Sequence, residues 1–280
     1  MDLASLLQIS LYLSMLTFYL GVLIYALPIP ITGLKKWGPR LISDAFYVAA
    51  LSLAFYTILN AASYIASALG ANWIAYYGFI TGQLTGQLSM IFGLTSITKL
   101  VNPRFAPIVS KIVSTLVGKL MVAVYVTTFM YVLGLVIQKS YAALAALGIA
   151  LMAIPFRIAR GAGAFLLSFA LVFYVALPLY PHFFSFIILP PQNNGVQMLE
   201  TVTYIGHSIP LQSSTGSNLV EMQIPVAPGN PPDPIYKIIS FIARLVYAVV
   251  IGAALYLTLL ISISVGLARA LGGFGRLRVI

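Results

Sequence analysis

The sequence predicts an all-α integral membrane protein, a polytopic bundle of about seven transmembrane helices, and three observations carry that prediction. Of 280 residues, 61% are hydrophobic and only 7% charged, where a water-facing domain carries roughly 25% charged residues. Mean hydropathy is +1.01. The apolar residues fall in long runs and not in short alternating segments, which favours helices over a transmembrane barrel. The same numbers exclude soluble enzymes, transcription factors and disordered scaffolds. With no cysteine in the chain, disulfides, iron–sulfur clusters and thiolate metal sites are excluded. His182 and His207 are too few for haem held by histidine pairs, so no cofactor and no metal is expected.

Each element follows from the need for about 20 apolar residues per crossing. Ala4–Leu27 starts too early for a signal peptide and lacks a cleavage site, so it reads as a permanent helix. Leu41–Leu69 is the second span and Tyr76–Thr98 the third, weakened by Gln83, Gln87 and several Gly and Thr. Ile112–Ile137 is the fourth, the shorter Tyr141–Pro155 the fifth and Ala162–Leu189 the sixth. Residues 1–189 thus form a transmembrane bundle of six hydrophobic segments. Residues 190–234 lack a run long enough to cross and make a small extracellular loop or cap. Val196–Ile205 and Asn218–Val226 alternate like two half-buried strands, so the cap reads as a β-hairpin between Pro-rich joints. Residues 235–280 hold the final transmembrane helix, Ile235–Leu267, and a basic cytoplasmic tail.

Orientation follows from the basic flanks. Lys35, Lys36 and Arg40; Lys99, Arg104 and Lys111; Arg157 and Arg160; and Arg269, Arg276 and Arg278 fall on alternate connections. With seven spans they share one side, eleven of the fifteen basic residues, while Asp2, Glu200, Glu221 and Asp233 take the other. This puts the protein in the cell membrane as a multi-pass chain, its N-terminus outside and its C-terminus in the cytoplasm. The net charge of +10 is then mostly a topology signal. The bases at Lys35, Lys36, Arg40, Arg157 and Arg160 are also the nearest concentrated charge on that side for a phosphate-bearing or acidic partner.

A repeat is visible. Ala26-Leu-Pro-Ile-Pro-Ile31 resembles Ala153-Ile-Pro-Phe-Arg-Ile158, and Gly38-Pro-Arg-Leu-Ile-Ser43-Asp-Ala45 resembles Gly163-Ala-Phe-Leu-Leu-Ser168-Phe-Ala170. Both copies read as hairpins that turn at the cytoplasmic side, the arrangement of a parallel repeat. The alternative is that any helix corner favours Pro, Gly and Arg.

The pattern contains no catalytic constellation: no HExxH, GxSxG or P-loop, and five scattered carboxylates. The one carboxylate within a span, Asp44, reads as a helix-start group balancing Lys35–Arg40, which disfavours proton-coupled pumping. In the third span Gly78, Gly82, Gly86, Ser89, Gly93 and Ser96 fall within about 40° of one line on a helix, flanked by Gln83 and Gln87. Gly78, Gly82, Gln83, Gly86 and Gln87 are therefore candidates for close helix packing or for lining a pore.

Leu151-Met-Ala-Ile-Pro-Phe-Arg-Ile-Ala-Arg-Gly-Ala-Gly163, the following Leu-Ser-Phe-Ala, Ala176-Leu-Pro-Leu-Tyr-Pro181 and Val265-Gly-Leu-Ala-Arg-Ala-Leu-Gly-Gly273 resemble the CedA family. That family is the polytopic membrane component of the crenarchaeal, archaeal Ced DNA-import system. The resemblance implies a non-enzymatic channel or platform subunit related to type IV secretion and conjugation machinery, active in DNA transport. The implied partners are a motor ATPase, a pilin of the same system, single-stranded DNA in transit, membrane lipids and further copies or subunits. It implies no catalytic residues. The readings that compete with it are a small-molecule permease, suggested by the repeat, and a membrane anchor for a surface assembly, suggested by the cap.

Overall fold

The computed structural model describes residues 3–27, 35–100, 106–188 and 233–272. These residues are built of helices and contain no strand: α1 Leu3–Ala26, α2 Trp37–Leu53, α3 Phe55–Ala68, α4 Trp73–Leu100, α5 Ala106–Met152, α6 Arg160–Ala176, α7 Tyr180–Ile188 and α8 Asp233–Ala270. Of the cap expected at 190–234, residues 190–232 with both strands lie outside the described residues, as do His207, Arg104, Arg276 and Arg278, while 233 and 234 open α8.

Among the described residues four helical stretches are long and apolar enough to cross a membrane: α1, α5, α6 continuing into α7, and Phe241–Ala270 of α8. The pair α2–α3, bent by 58°, makes a fifth if it counts as one span. The bend sits at Ala54, just past Ser52, whose hydroxyl donates to Val48 O at 2.9 Å. Such back-bonding loosens the helical ladder and bends it.

The expected fourth and fifth spans are not separate. Residues 112–137 and 141–155 lie in, or just beyond, the single helix α5 of 47 residues. Gln138-Lys139-Ser140 between them contain neither Gly nor Pro, and Gln and Lys are good helix formers, so the backbone bonds run straight through. The helix rises about 70 Å, more than twice the apolar thickness of a bilayer. It ends where Pro155 forces Ile154 into extended backbone (φ −61, ψ 127). Placing Lys99, Arg104 and Lys111 on the same side as Arg157 and Arg160 required the missing turn.

The chain forms two compact units. The first takes Met1–Tyr77, Tyr131–Phe183 and Ala254–Ile280. Its core packs Leu7, Val48, Phe55 and Leu59 against Ala145, Ile149, Ala164 and Leu167. Here α1 turns mostly small and polar residues inward: Ser10, Ser14, Thr17 and Gly21 are buried along with Leu7, while Tyr12, Leu16, Tyr19 and Leu23 stand exposed. Ser14 Oγ donates to Ala45 O at 2.7 Å, Ser10 and Ser52 share a hydrogen bond of 2.8 Å, and Thr17 Oγ1 donates to Ala153 O at 3.0 Å. An inward face of small hydroxyls with large apolar groups outside is how helices pack in lipid, where burying a leucine gains nothing over leaving it in acyl chains.

The same unit holds both arms of the repeat, and they pack alike. A Cβ on Gly21 would lie 3.1 Å from Gly38 O and 2.9 Å from Ile42, and one on Gly38 3.4 Å from Tyr25 N. A Cβ on Gly148 would lie 2.8 Å from Gly163 O and 2.7 Å from Leu167 N, and one on Gly163 2.8 Å from Met152 N. The two aligned blocks, carried along their helices, pair Gly21 with Gly148, Tyr25 with Met152, Gly38 with Gly163 and Ile42 with Leu167. The two hairpins, α1–α2 and the end of α5 with α6, therefore cross at the same residues. The second crossing is too close for any side chain at its glycines, and the first would hold a Cβ only in tight contact.

The second unit, Gly78–Met130 and Phe184–Ala253, packs Ile91, Leu94, Val113, Leu120 and Ile242. Phe79 meets Phe184 edge-on with centroids 5.2 Å apart.

Candidate functional site at the basic corner

The turn between α5 and α6 brings the charge together. Phe156 (φ 63, ψ 13) and Arg157 (φ 63) are both left-handed, a conformation that costs an L-residue about 1–2 kcal/mol each. The strained corner delivers Arg157 and Arg160 to Asp44 on α2. Arg157 Nε donates to Asp44 Oδ2 at 2.5 Å and its Nη2 to Oδ1 at 2.7 Å, while Arg160 Nη1 also donates to Oδ1. Asp44 therefore does not balance Lys35–Arg40, as its position in the sequence suggested. Its carboxylate is claimed by two arginines from more than a hundred residues away, an arrangement set by tertiary contact alone.

The two arginines differ in exposure. The Arg157 side chain is 47% exposed, and those of Arg160 and Asp44 are 13% and 12%. Arg160 is held down by its neighbours: its guanidinium lies 5.2 Å from the Tyr47 ring centroid, and Gly272 leaves it room, since a Cβ there would lie 3.2 Å from Arg160 Nη2. Tyr47 also reaches Leu271 O at 3.5 Å, which brings the end of α8 to the same place. The hydrogen bond to Asp44 raises the Arg157 pKa above its ordinary value.

Around this cluster Lys35, Lys36, Arg40 and Arg269 are exposed. Arg40 stands one turn before Asp44 on α2. The structure thus gathers all five candidate bases, Lys35, Lys36, Arg40, Arg157 and Arg160, at one end of the first unit, but it ties Arg157 and Arg160 to a carboxylate. The other end of that unit is aromatic. Tyr141 stacks on Tyr174 at 3.8 Å, Trp73 lies 6.0 Å from Tyr174 and from Tyr77, and Tyr77 is 5.6 Å from Tyr131. From Arg160 to Tyr174 along α6 is about 21 Å, so a basic rim and an aromatic girdle bracket an apolar slab.

The α4 candidates do not join this corner. Gly78, Gly82, Gly86 and Gly93 meet no atom within 4 Å of where a Cβ would lie. Among the described residues, no helix uses the stripe for close packing. Its threonines bond inward, Thr81 to Gly78 O and Thr85 to Thr81 O. Gln83 is half-buried, whereas Gln87 is buried and donates to Thr127 Oγ1 at 3.0 Å, its Oε1 having no partner among the described residues. The stripe that does pack is Ser10, Ser14, Thr17 and Gly21 on α1, which sequence reasoning missed. Its spacing of four, three and four residues is the signal that would have found it.

Apolar spans, an inward-facing polar seam and opposed basic and aromatic rims define a multi-spanning α-helical membrane protein. A family model described as DNA import protein CedA1 matches residues 2–68, which is α1 to α3 and ends where α3 ends. The chain is also similar, at 29% identity over 266 residues, to the DNA import protein CedA of Sulfolobus acidocaldarius, covering 94% of this chain and 91% of that relative. No solved structure matches. The chain resembles CedA, and the likeness extends well beyond the corners at 151–181 and 265–273 that first carried it.

Proposed function

We propose that this protein is a non-enzymatic channel or platform subunit of a DNA-import machine, with the basic corner on its cytoplasmic face. The observation that carries the reading is the likeness to a DNA import protein along almost the whole chain. The clustering of Lys35, Lys36, Arg40 and Arg269 beside the CedA1-like hairpin supports it. Exposed lysines and arginines at a membrane rim attract phosphates or acidic residues of a motor ATPase with strong salt dependence. A type IV secretion-like arrangement with a pilin fits the same reading, as does an assembly in which a neighbouring subunit covers the open face of α4. The permease alternative draws on the paired hairpins and has no further support.

Replacing Lys35, Lys36 and Arg40 together by Gln is expected to leave insertion intact and lower DNA uptake by about tenfold or more, since several phosphate contacts vanish together. Uptake assays on cells expressing equal amounts of each variant check this, and unchanged uptake would assign the three bases to topology alone. The orientation has its own test, made simple by the absence of cysteine. Lys36→Cys and Leu69→Cys, at the two ends of the α2–α3 pair, should react with an impermeant maleimide from opposite sides, Lys36→Cys only after the membrane is opened.

A further inference from the structure

The paired hairpins provide an internal control for reading the charges. Their crossing residues correspond one to one, so packing alone accounts for what the two copies share. The charges at the corner are not shared. In the aligned blocks, the position of Asp44 is held in the second hairpin by Phe169, and that of Arg157 is held in the first by Pro30. The triad of Asp44, Arg157 and Arg160 is thus an addition to the hairpin design, absent from the packing that the two copies share.

Its geometry is that of anion recognition. The Arg157 fork meets both carboxylate oxygens, and Arg160 adds a third donor to Oδ1. Two guanidinium groups converging on a pair of oxygens match a phosphodiester as well as they match a carboxylate. Arg157 is the exposed member, held on two consecutive left-handed residues. Exposed cations lie on the same hairpin as its partner: Arg40 one turn before Asp44 on α2, with Lys36 and Lys35 beyond. We propose that this corner is a binding site for a phosphate of the DNA backbone, and that Asp44 is its built-in competitor, occupying Arg157 until DNA concentrated by Lys35, Lys36 and Arg40 displaces it. The proposal rests on the DNA-import reading above. Arg160, buried against Tyr47 and Gly272, stays with Asp44 as the fixed half of the site, while Arg157 changes partner and lets its backbone leave the left-handed region.

The test is a double-mutant cycle on the full-length protein in a non-ionic detergent, with a fluorescent single-stranded oligonucleotide titrated at several salt concentrations. Asp44→Asn should bind roughly three- to tenfold tighter than wild type, with a salt slope steeper by about one, because one more arginine is available to phosphate. Arg157→Gln should change affinity by less than about twofold alone, yet remove the whole gain in the Asp44→Asn background. That non-additivity separates displacement from a general charge effect, in which Arg157→Gln would weaken binding equally in both backgrounds; equal weakening would overturn the proposal. Should Asp44→Asn not fold, single variants decide: Arg40→Gln, which removes an exposed guanidinium, should weaken binding severalfold and Arg157→Gln should not, and equal losses would overturn the proposal. Salt-dependent binding by wild type with no gain in Asp44→Asn would sink the competitor and leave the import reading standing. No salt-dependent binding by either protein would sink both. Loss of the gain when phosphatidylglycerol vesicles are added would assign the site to lipid headgroups and also overturn it.

Discussion

Gly163→Leu is expected to abolish the native fold, while Gly82→Leu leaves the thermal midpoint unchanged. At Gly163 a Cβ would sit 2.5 Å from Gly148 O, 2.7 Å from Met152 Cγ and 2.8 Å from Met152 N. Two of those atoms are backbone, so only separation of α5 and α6 can make room. Overpacking a core typically costs about 1–3 kcal/mol and occasionally more, and a clash with backbone on both sides of a crossing belongs at the upper end. Losing the crossing also breaks the core of Ala145, Ile149, Ala164 and Leu167 behind it. At Gly82 none of the described residues lies within 4 Å, so the leucine meets no described neighbour. Size-exclusion chromatography and thermal unfolding in detergent compare the two directly. A fall in assembly size for Gly82→Leu at constant stability would show that another subunit uses the α4 stripe.

Arg160→Ala is expected to destabilise the protein by roughly 2–4 kcal/mol, and Arg157→Gln by about 1 kcal/mol or less. Breaking a buried pair strands the remaining charge, which costs about 3–5 kcal/mol when burial is complete. Asp44, at 12% exposure, keeps Arg157 as a partner, so the loss lies below that limit. Alanine also leaves a gap against Tyr47 and beside Gly272, where the guanidinium packs. Arg157 is half in water, and exposed pairs contribute about 0–1 kcal/mol. Chemical or thermal unfolding of the two single variants tests the ranking, and equal losses would contradict the division of the triad into a buried and an exposed arm.

What the sequence by itself determined was what depends on composition and on neighbours along the chain. The low charge and long apolar runs established a helical membrane protein, because lipid leaves few other solutions for the backbone. The Pro-Gly-Arg corners and the repeat at 26–45 and 153–170 were legible as local patterns, and so were the five bases that the structure gathers at one end. Tertiary structure decided the rest. The turn expected at 138–140 is absent because a few polar residues do not break a helix without Gly or Pro, so a span count based on hydropathy overran. Gly82 and Gly86 were the obvious packing stripe, yet Gly148 and Gly163 make the contact; glycine spacing shows where a helix can be approached closely, and only the fold shows which helix arrives. Asp44 was read with the bases nearest in sequence and is bound by Arg157 and Arg160 instead. A carboxylate pairs with the cations nearest in space, and that distance exists only after the hairpins have packed.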